Sequence, residues 1–207
     1  MQKILTEKEA EAFLLKNGFK TPKTEIAKNL DELKSIEKKI IFPWAMKAAG
    51  SKIVHKAKIG GVILNVKNQI ESQESFDKLS KIQGFEEVIV QEMIIGEEAI
   101  IGLKKTPEFG LVIMFGKGGS RVEQEKDIAF RVLPITKAEA NSLIKEVKFH
   151  NNLVEKNINI NFIRENLVKI SNLAKKFPHI TELDINPLMI NDKQATVVDA
   201  RLIIEEN

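Results

Sequence analysis

Cysteine is absent from this chain, tyrosine is absent too, and tryptophan occurs once. Without cysteine there are no disulfide bonds, thiolate zinc sites, iron–sulfur clusters or cysteine nucleophiles. Any covalent catalysis would therefore use a histidine, a serine, a lysine or a carboxylate.

No sign of charge dominates either. The 32 basic and 29 acidic residues are interspersed and give a net charge of +3. Nucleic-acid binding usually leaves a basic patch interleaved with aromatic residues, which this sequence lacks. We therefore expect no nucleic-acid partner.

Long apolar runs are missing as well. No run approaches the roughly 20 residues that span a membrane, and the first nine residues lack the apolar core of a signal peptide. We expect a cytoplasmic protein with no membrane partner. Hydrophobic residues at 43% and charged residues at 29% are typical of globular proteins, and 207 residues suffice for a sizeable core.

Helical and strand patterns alternate along the chain. Thr6 and Thr136 each precede a glutamate by three residues, a capping box that predicts a helix start. Apolar spacing predicts helices at about 7–17, 30–39, 73–82, 137–148 and 163–176, and strands at about 40–47, 60–66, 88–93, 99–103 and 111–115. This order predicts an α+β fold, a single domain of residues 1–207 with approximate lobes 1–91 and 92–207.

The C-terminal part predicts a β-hairpin closed by the polar residues 191–194. If Ile190 faces Ala195, then Asn186 faces Asp199, and an amide oxygen and a carboxylate can share one hard cation. In the same register, Asp184 opposes Arg201. The alternative interpretation is a surface ion pair between Asp184 and Arg201 plus a turn.

Two cationic positions are candidates for phosphate binding. Lys47 lies inside an apolar strand, where a lysine either extends its amine to solvent or meets an anion. His55 precedes the flexible, cation-rich segment that contains Gly60 and Gly61. A structural role for this histidine is the alternative.

Glycines follow the strand predicted at 111–115. Gly116, Gly118 and Gly119 alternate with cations in a turn that resembles a phosphate-covering loop. The turn completes neither the dinucleotide fingerprint nor a Walker loop. It is also compatible with an ordinary hairpin.

The joint between the predicted lobes carries Gln91, Glu92, Met93 and Glu98. Such a hinge can offer backbone groups to a base and a carboxylate to ribose hydroxyls. A solvated acidic corner is the alternative interpretation.

Taken in order, these motifs resemble the ATP-grasp fold, with two α+β lobes and the nucleotide between them. More closely, the chain resembles the β subunits of ADP-forming acetyl-CoA synthetases, relatives of succinyl-CoA synthetase. The resemblance extends from Leu5 to Arg201 and includes the stretches 112–116 and 130–136.

The resemblance implies a role for each matching residue. Lys47 would contact nucleotide phosphates, Glu92 with its neighbour Met93 would line the adenine pocket, and Glu98 would hold ribose. Gln91 would also bind nucleotide. The glycines at 116, 118 and 119 would bind nucleotide, and Asn186 and Asp199 would bind Mg²⁺. His55 would carry the phosphoryl group, with Asp184 either orienting it or remaining paired to Arg201.

The implied reaction converts acyl-CoA, ADP and phosphate to acid, CoA and ATP. It implies a partner, a CoA-binding α subunit that carries the first phosphohistidine, in an α2β2 assembly. Two alternatives remain: a stand-alone ATP-grasp carboxylate ligase, and a non-catalytic nucleotide-binding regulatory module.

Overall fold

The computed structural model describes residues 1–53, 56–120 and 122–205. The chain divides into two compact units: Pro22–Ile94, and Met1–Thr21 together with Ile95–Asn207. We call them the small unit and the large unit. The lobes were predicted to meet at residues 91 and 92, whereas the chain changes unit after Thr21 and again after Ile94. The first 21 residues lie in the large unit, because strand Gln2–Ile4 pairs with strand Ala200–Glu205 at the other end of the chain.

The small unit is a four-stranded antiparallel sheet with helices on one face. Its strands are β2 (Thr24–Ala27), β3 (Trp44–Ala49), β4 (Val62–Val66) and β5 (Glu87–Glu92), in the order β2-β5-β3-β4. Its helices are α2 (Leu30–Ile36), α3 (Gln69–Leu79) and a 3₁₀ turn at Lys56–Ile59. Alternate strand residues such as Trp44, Met46 and Val90 pack with Leu33 and Phe76 of the helices.

The large unit is built on a seven-stranded antiparallel sheet. Its strands are β1 (Gln2–Ile4), β6 (Glu97–Thr106), β7 (Gly110–Lys117), β8 (Ile128–Val132), β9 (Ile180–Ile190), β10 (Ala195–Val197) and β11 (Ala200–Glu205). They follow the order β1-β11-β9-β6-β7-β8, with β10 paired to β9. Its helices are α1 (Glu7–Lys16), α4 (Val122–Glu125), α5 (Lys137–Glu146), α6 (Phe149–Glu155) and α7 (Asn161–Lys176).

One face of this sheet is apolar and packs against helices. Ile101, Phe115, Leu183 and Ile185 belong to a cluster that also contains residues of α1, α5, α6 and α7. Because side chains alternate across a strand, the residues between them point to the opposite face. We call this second side the polar face, since it carries Asp184 and Asn186 of β9.

The capping boxes at Thr6 and Thr136 are confirmed, and each threonine exchanges hydrogen bonds with the glutamate three residues later. The start of α3 was predicted four residues too late. Asn68 caps this helix by accepting from the N–H of Glu71, so Gln69 is its first residue.

Helix α6 was not predicted. The N–H groups at its start, those of Lys148 and Phe149, donate to the Asp127 carboxylate at 2.8 and 2.7 Å. Because the capping carboxylate comes from a residue about twenty positions earlier, the sequence next to the helix start shows no capping pattern. Among the described residues, no helix combines the length and the apolar character needed to cross a membrane.

Candidate functional site

The predicted hairpin register is confirmed. Ile190 lies opposite Ala195, and Arg201 lies opposite Asp184. Between these pairs the N–H of Asn186 donates to the carbonyl oxygen of Asp199 at 3.2 Å, so these two residues oppose one another. The regular ladder is interrupted at residues 198 and 199, next to Pro187, which has no N–H to donate.

The side chains of Asn186 and Asp199 therefore point to the same side of the sheet, the polar face. Both can offer an oxygen atom, and oxygen is the ligand type that Mg²⁺ prefers. Within the described ranges no three or more histidine, cysteine or acidic residues cluster as a metal site would require. An amide and a carboxylate nevertheless fit Mg²⁺, which takes few protein ligands and completes its shell with waters and phosphate oxygens.

Asp184 shares this face and has an unusual acidity. Burial, together with the nearby charges of Asp199 and Glu182, raises the pKa of its carboxyl from 3.8 to about 6, although Arg201 acts in the opposite direction. Arg201 Nη1 also lies 4.0 Å from Glu182 Oε1. The polar face is therefore crowded with negative charge, which favours a bound cation.

Glu182 was not singled out from the sequence, although a signal was present. Glu182, Asp184 and Asn186 alternate with apolar residues, and this period of two places all three on one face of β9.

The glycine turn follows β7 and contacts this site. Gly118 donates its N–H to the carbonyl oxygen of Glu98 at 2.8 Å, and Gly119 donates its N–H to Asn186 Oδ1 at 2.8 Å. A side chain at Gly116 would collide with the backbone of Asp127 and Ile128. The structure thus brings the three predicted glycines, Glu98 and Asn186 together in the large unit.

Glu98 lies near the start of β6, opposite Met189 of β9. A Cβ atom added at Gly119 would collide with its Oε2 atom. The carboxylate of Glu98 therefore lies against the glycine turn, a contact that sequence spacing did not indicate.

In the small unit, Lys47 occupies the middle of the sheet and is 5% exposed. It lies opposite Ile89 on β5 and Val62 on β4. Its neighbours in the strand, Met46 and Ala48, pack into the apolar core, so the lysine projects from the other face. Its ammonium group is a compact positive charge of the kind that binds phosphate.

The predicted joint residues lie at the end of β5. Gln91 is buried on the same face as Lys47, and its Nε2 donates to Thr24 Oγ1 at 3.2 Å. Glu92 is exposed and donates its N–H to the Lys23 carbonyl, while Met93 donates its N–H to the Pro43 carbonyl at 3.1 Å. These contacts order the backbone of the segment. His55, the candidate phosphoryl carrier, lies outside the described residues.

Comparison with known proteins gives one consistent family. The family model described as an ATP-grasp domain matches residues 1–204. The chain is 37% identical to the acetate–CoA ligase (ADP-forming) I subunit beta of Pyrococcus furiosus, over 97% of this chain and 91% of that subunit. It is also 37% identical to the acetate–CoA ligase (ADP-forming) I of Archaeoglobus fulgidus, but it spans only 29% of that longer protein.

Solved structures agree with this similarity. Acetyl-coenzyme A synthetase 1 of Ca. Korarchaeum cryptofilum, solved with coenzyme A and Ca-AMPCP, superposes with a TM-score of 0.88 at 32% identity. The match covers 98% of this chain and 94% of that chain. A second structure of that enzyme, with coenzyme A and Mg-AMPPCP, has a TM-score of 0.83 and 32% identity over 98% of this chain and 93% of that one. In it, a phosphohistidine segment points towards the nucleotide-binding site.

Proposed function

Since the chain belongs to the ATP-grasp domain family, we propose that it is the nucleotide-binding β subunit of an ADP-forming acetate– or acyl–CoA ligase. The complete enzyme converts acyl-CoA, ADP and phosphate to acid, ATP and CoA. One observation carries this assignment: the similarity to the Pyrococcus β subunit extends over 97% of this chain and 91% of the subunit. We expect the protein to work in the cytoplasm.

The step assigned to this subunit is phosphoryl transfer between His55 and ADP. A neutral imidazole is nucleophilic near pH 7, and its phosphoramidate is a good phosphoryl donor. The bond between nitrogen and phosphorus breaks as a terminal phosphate oxygen of ADP forms the new bond to phosphorus, and a proton on the other ring nitrogen lets the ring leave as neutral imidazole. The neutral imidazole is then free to accept the next phosphoryl group.

Residues of the small unit are proposed to hold the nucleotide. Lys47 would contact its phosphates, since a lysine ammonium is a compact positive charge suited to phosphate. Gln91, Glu92 and Met93 would bind the nucleotide, with Glu92 and Met93 lining the adenine pocket.

Residues of the large unit are proposed to bind nucleotide and Mg²⁺. Glu98 would hold the ribose, and the glycine turn would bind the phosphates. Asn186 and Asp199 would hold Mg²⁺, with Asp184 and Arg201 behind them. When bound, the ion would neutralise charge on the transferring group, where most of the catalytic benefit in phosphoryl transfer arises.

A partner subunit follows from the proposed reaction. The activity requires a site for CoA, and relatives of this length are named as subunit beta. We propose that the partner is a CoA-binding α subunit that carries the first phosphohistidine, in an α2β2 assembly. The longer single-chain relatives, of which this chain spans about 30%, are compatible with both functions residing in one polypeptide.

Phosphoryl labelling tests the proposal. The chain and its α partner are incubated with Mg²⁺ and γ-phosphate-labelled ATP, and this chain is examined for label that is acid-labile and base-stable. The chain has three histidines, so His150→Ala and His179→Ala are matched controls for His55→Ala. We expect label in the parent and in both controls, and none in His55→Ala.

Label that persists in His55→Ala would overturn the role of His55. Absence of label from every protein, with ADP binding intact, would favour the regulatory module. Ligase activity without any partner and without dependence on His55 would favour the stand-alone ligase.

A further inference from the structure

The carboxamide of Asn186 makes two hydrogen bonds with a single residue of the glycine turn. Its Oδ1 accepts from the N–H of Gly119 at 2.8 Å, and its Nδ2 donates to the carbonyl oxygen of Gly119 at 3.4 Å. The two residues are 67 positions apart in the chain. One side chain of β9 thus engages both backbone polar groups of Gly119.

The turn is fixed at a second point by β6. The N–H of Gly118 donates to the Glu98 carbonyl, and a Cβ at Gly118 would collide with the backbone of Ala99. Gly119 has φ +98°, a conformation that residues with a side chain rarely adopt. Strands β6 and β9 therefore hold the turn from two directions, and both contacts require glycine.

Asn186 lies beside an irregularity in the sheet. The pairing of β6 with β9 shifts register between Ala99 and Ile101, opposite Asn186 and Pro187. Leu188 and Ile185 on either side both belong to the apolar cluster, so two consecutive residues lie between core positions. Asn186 keeps the alternation that places it on the polar face, and the extra residue of the bulge is Pro187, directly after it.

The chemistry of the contact is specific to an amide. A carboxamide offers one acceptor and one donor, which match the N–H and the C=O of Gly119. A carboxylate has nearly the same shape and is a stronger ligand for Mg²⁺, but it only accepts. Aspartate at this position would direct a negatively charged oxygen at the carbonyl oxygen of Gly119. Metal binding alone therefore does not explain an asparagine here.

We propose that Asn186 is a positioning residue for the glycine turn Gly118–Ser120, and that this contact is what requires an amide at position 186. Its consequence for catalysis, that the turn is held in place to bind nucleotide phosphates, rests on the proposed function. The contact itself does not, because it can be measured without nucleotide or metal.

Amide hydrogen exchange tests the contact. The exchange rate of the Gly119 N–H is measured by NMR on the purified chain with a chelator present and no nucleotide. Asn186→Ala should accelerate exchange by about fivefold, the value of one net hydrogen bond. Asp199→Asn, which alters the opposing cation ligand, should leave the rate unchanged. Asn186→Ser, whose side chain is too short to reach Gly119, replaces the alanine variant if that variant does not fold.

Equal rates in Asn186→Ala and the parent would overturn the proposal, as would equal acceleration in Asp199→Asn. Either result would show that the carboxamide of Asn186 is not what specifically protects the Gly119 N–H. If instead the parent fails to bind ADP while the exchange contrast is present, the proposed function fails and the positioning role stands.

The second measurement separates positioning from metal binding. The complex with the α partner is assayed with Asn186→Asp at varied Mg²⁺ and ADP. A misplaced turn should raise the KM for ADP several-fold, while the Mg²⁺ concentration for half-maximal activity does not rise, because a carboxylate binds the ion at least as well. An unchanged KM for ADP would overturn the requirement for an amide.

Discussion

The two faces of the large sheet are built by the same strands, yet they serve different purposes. On one face Phe115 and Ile185 are fully buried against helices. The other face carries polar residues: Asp184 and Asn186, which flank Ile185 in sequence, and Asp199, which lies opposite Asn186. Because side chains alternate, one strand can supply stability with its odd residues and chemistry with its even ones. Substitutions at two adjacent positions of one strand should therefore have different consequences. One should lower the stability of the fold, and the other should affect the chemistry of the site.

The substitution with the largest expected effect lies on the apolar face. Phe115→Ala should lower the free energy of unfolding by about 3–5 kcal/mol, since it removes a large buried ring and leaves a cavity. Denaturant unfolding followed by circular dichroism measures the change. Met114→Ala, one residue along β7 on the polar face and partly exposed, is the matched control. Equal losses of unfolding free energy in the two variants would contradict the inference that the apolar face contributes more to stability than the polar face.

The next effect is on binding rather than stability. Asp199→Ala should weaken Mg²⁺-dependent ADP binding at least about tenfold, since even residues behind metal ligands contribute about 10- to 100-fold to metal affinity. Isothermal titration calorimetry with and without Mg²⁺ measures it. Asp192→Ala removes the same charge from the exposed tip of the same hairpin and should leave binding unchanged. Full binding by Asp199→Ala would remove this residue from the metal site.

The smallest effect is a pH dependence of stability. The pKa of Asp184 is about 6 in the folded chain, above its ordinary value of 3.8, so the folded state binds this proton more tightly than the unfolded state. Its contribution to stability is therefore complete below pH 3.8 and is lost as pH rises to about 6. Asp184→Asn should be more stable than the parent by about 1–2 kcal/mol at pH 8, allowing for partial exposure of the group.

Unfolding of both proteins at pH 4 and pH 8, in the presence of a chelator, measures this difference. At pH 4 the two should nearly coincide, which makes the acidic measurement the internal control. A constant difference across the range would show that Asp184 does not titrate in this way.

Much of the fold was predictable because its signals are local. Capping boxes at Thr6 and Thr136, the apolar spacing of α7 and the alternating residues of β9 all involve neighbours in sequence. The short strands β1 and β2 and helix α6 were not predicted. Their stability comes from distant partners: β1 pairs with β11, β2 pairs with β5, and α6 is capped by Asp127. Segments of three or four residues carry too little periodicity to be recognised alone.

In the candidate site, too, the features with local signals were predictable and the contacts between distant segments were not. The hairpin register placed Asn186 opposite Asp199 and Asp184 opposite Arg201, because a short turn fixes which residues face one another. The composition of the glycine turn was also visible. Its partners were not, since Glu98 precedes the turn by about twenty residues and Asn186 follows it by 67.

The sequence by itself determined the family, the hairpin register and the residue types available for nucleotide and metal binding. Each of these depends on the order of residues or on contacts between near neighbours. Only the tertiary structure decided that Asn186 engages Gly119, that burial and neighbouring acids raise the pKa of Asp184, and that the first 21 residues lie with the large unit. Those features depend on distances between segments far apart in the chain, which are set by how the strands pack and not by the order of residues within any one of them.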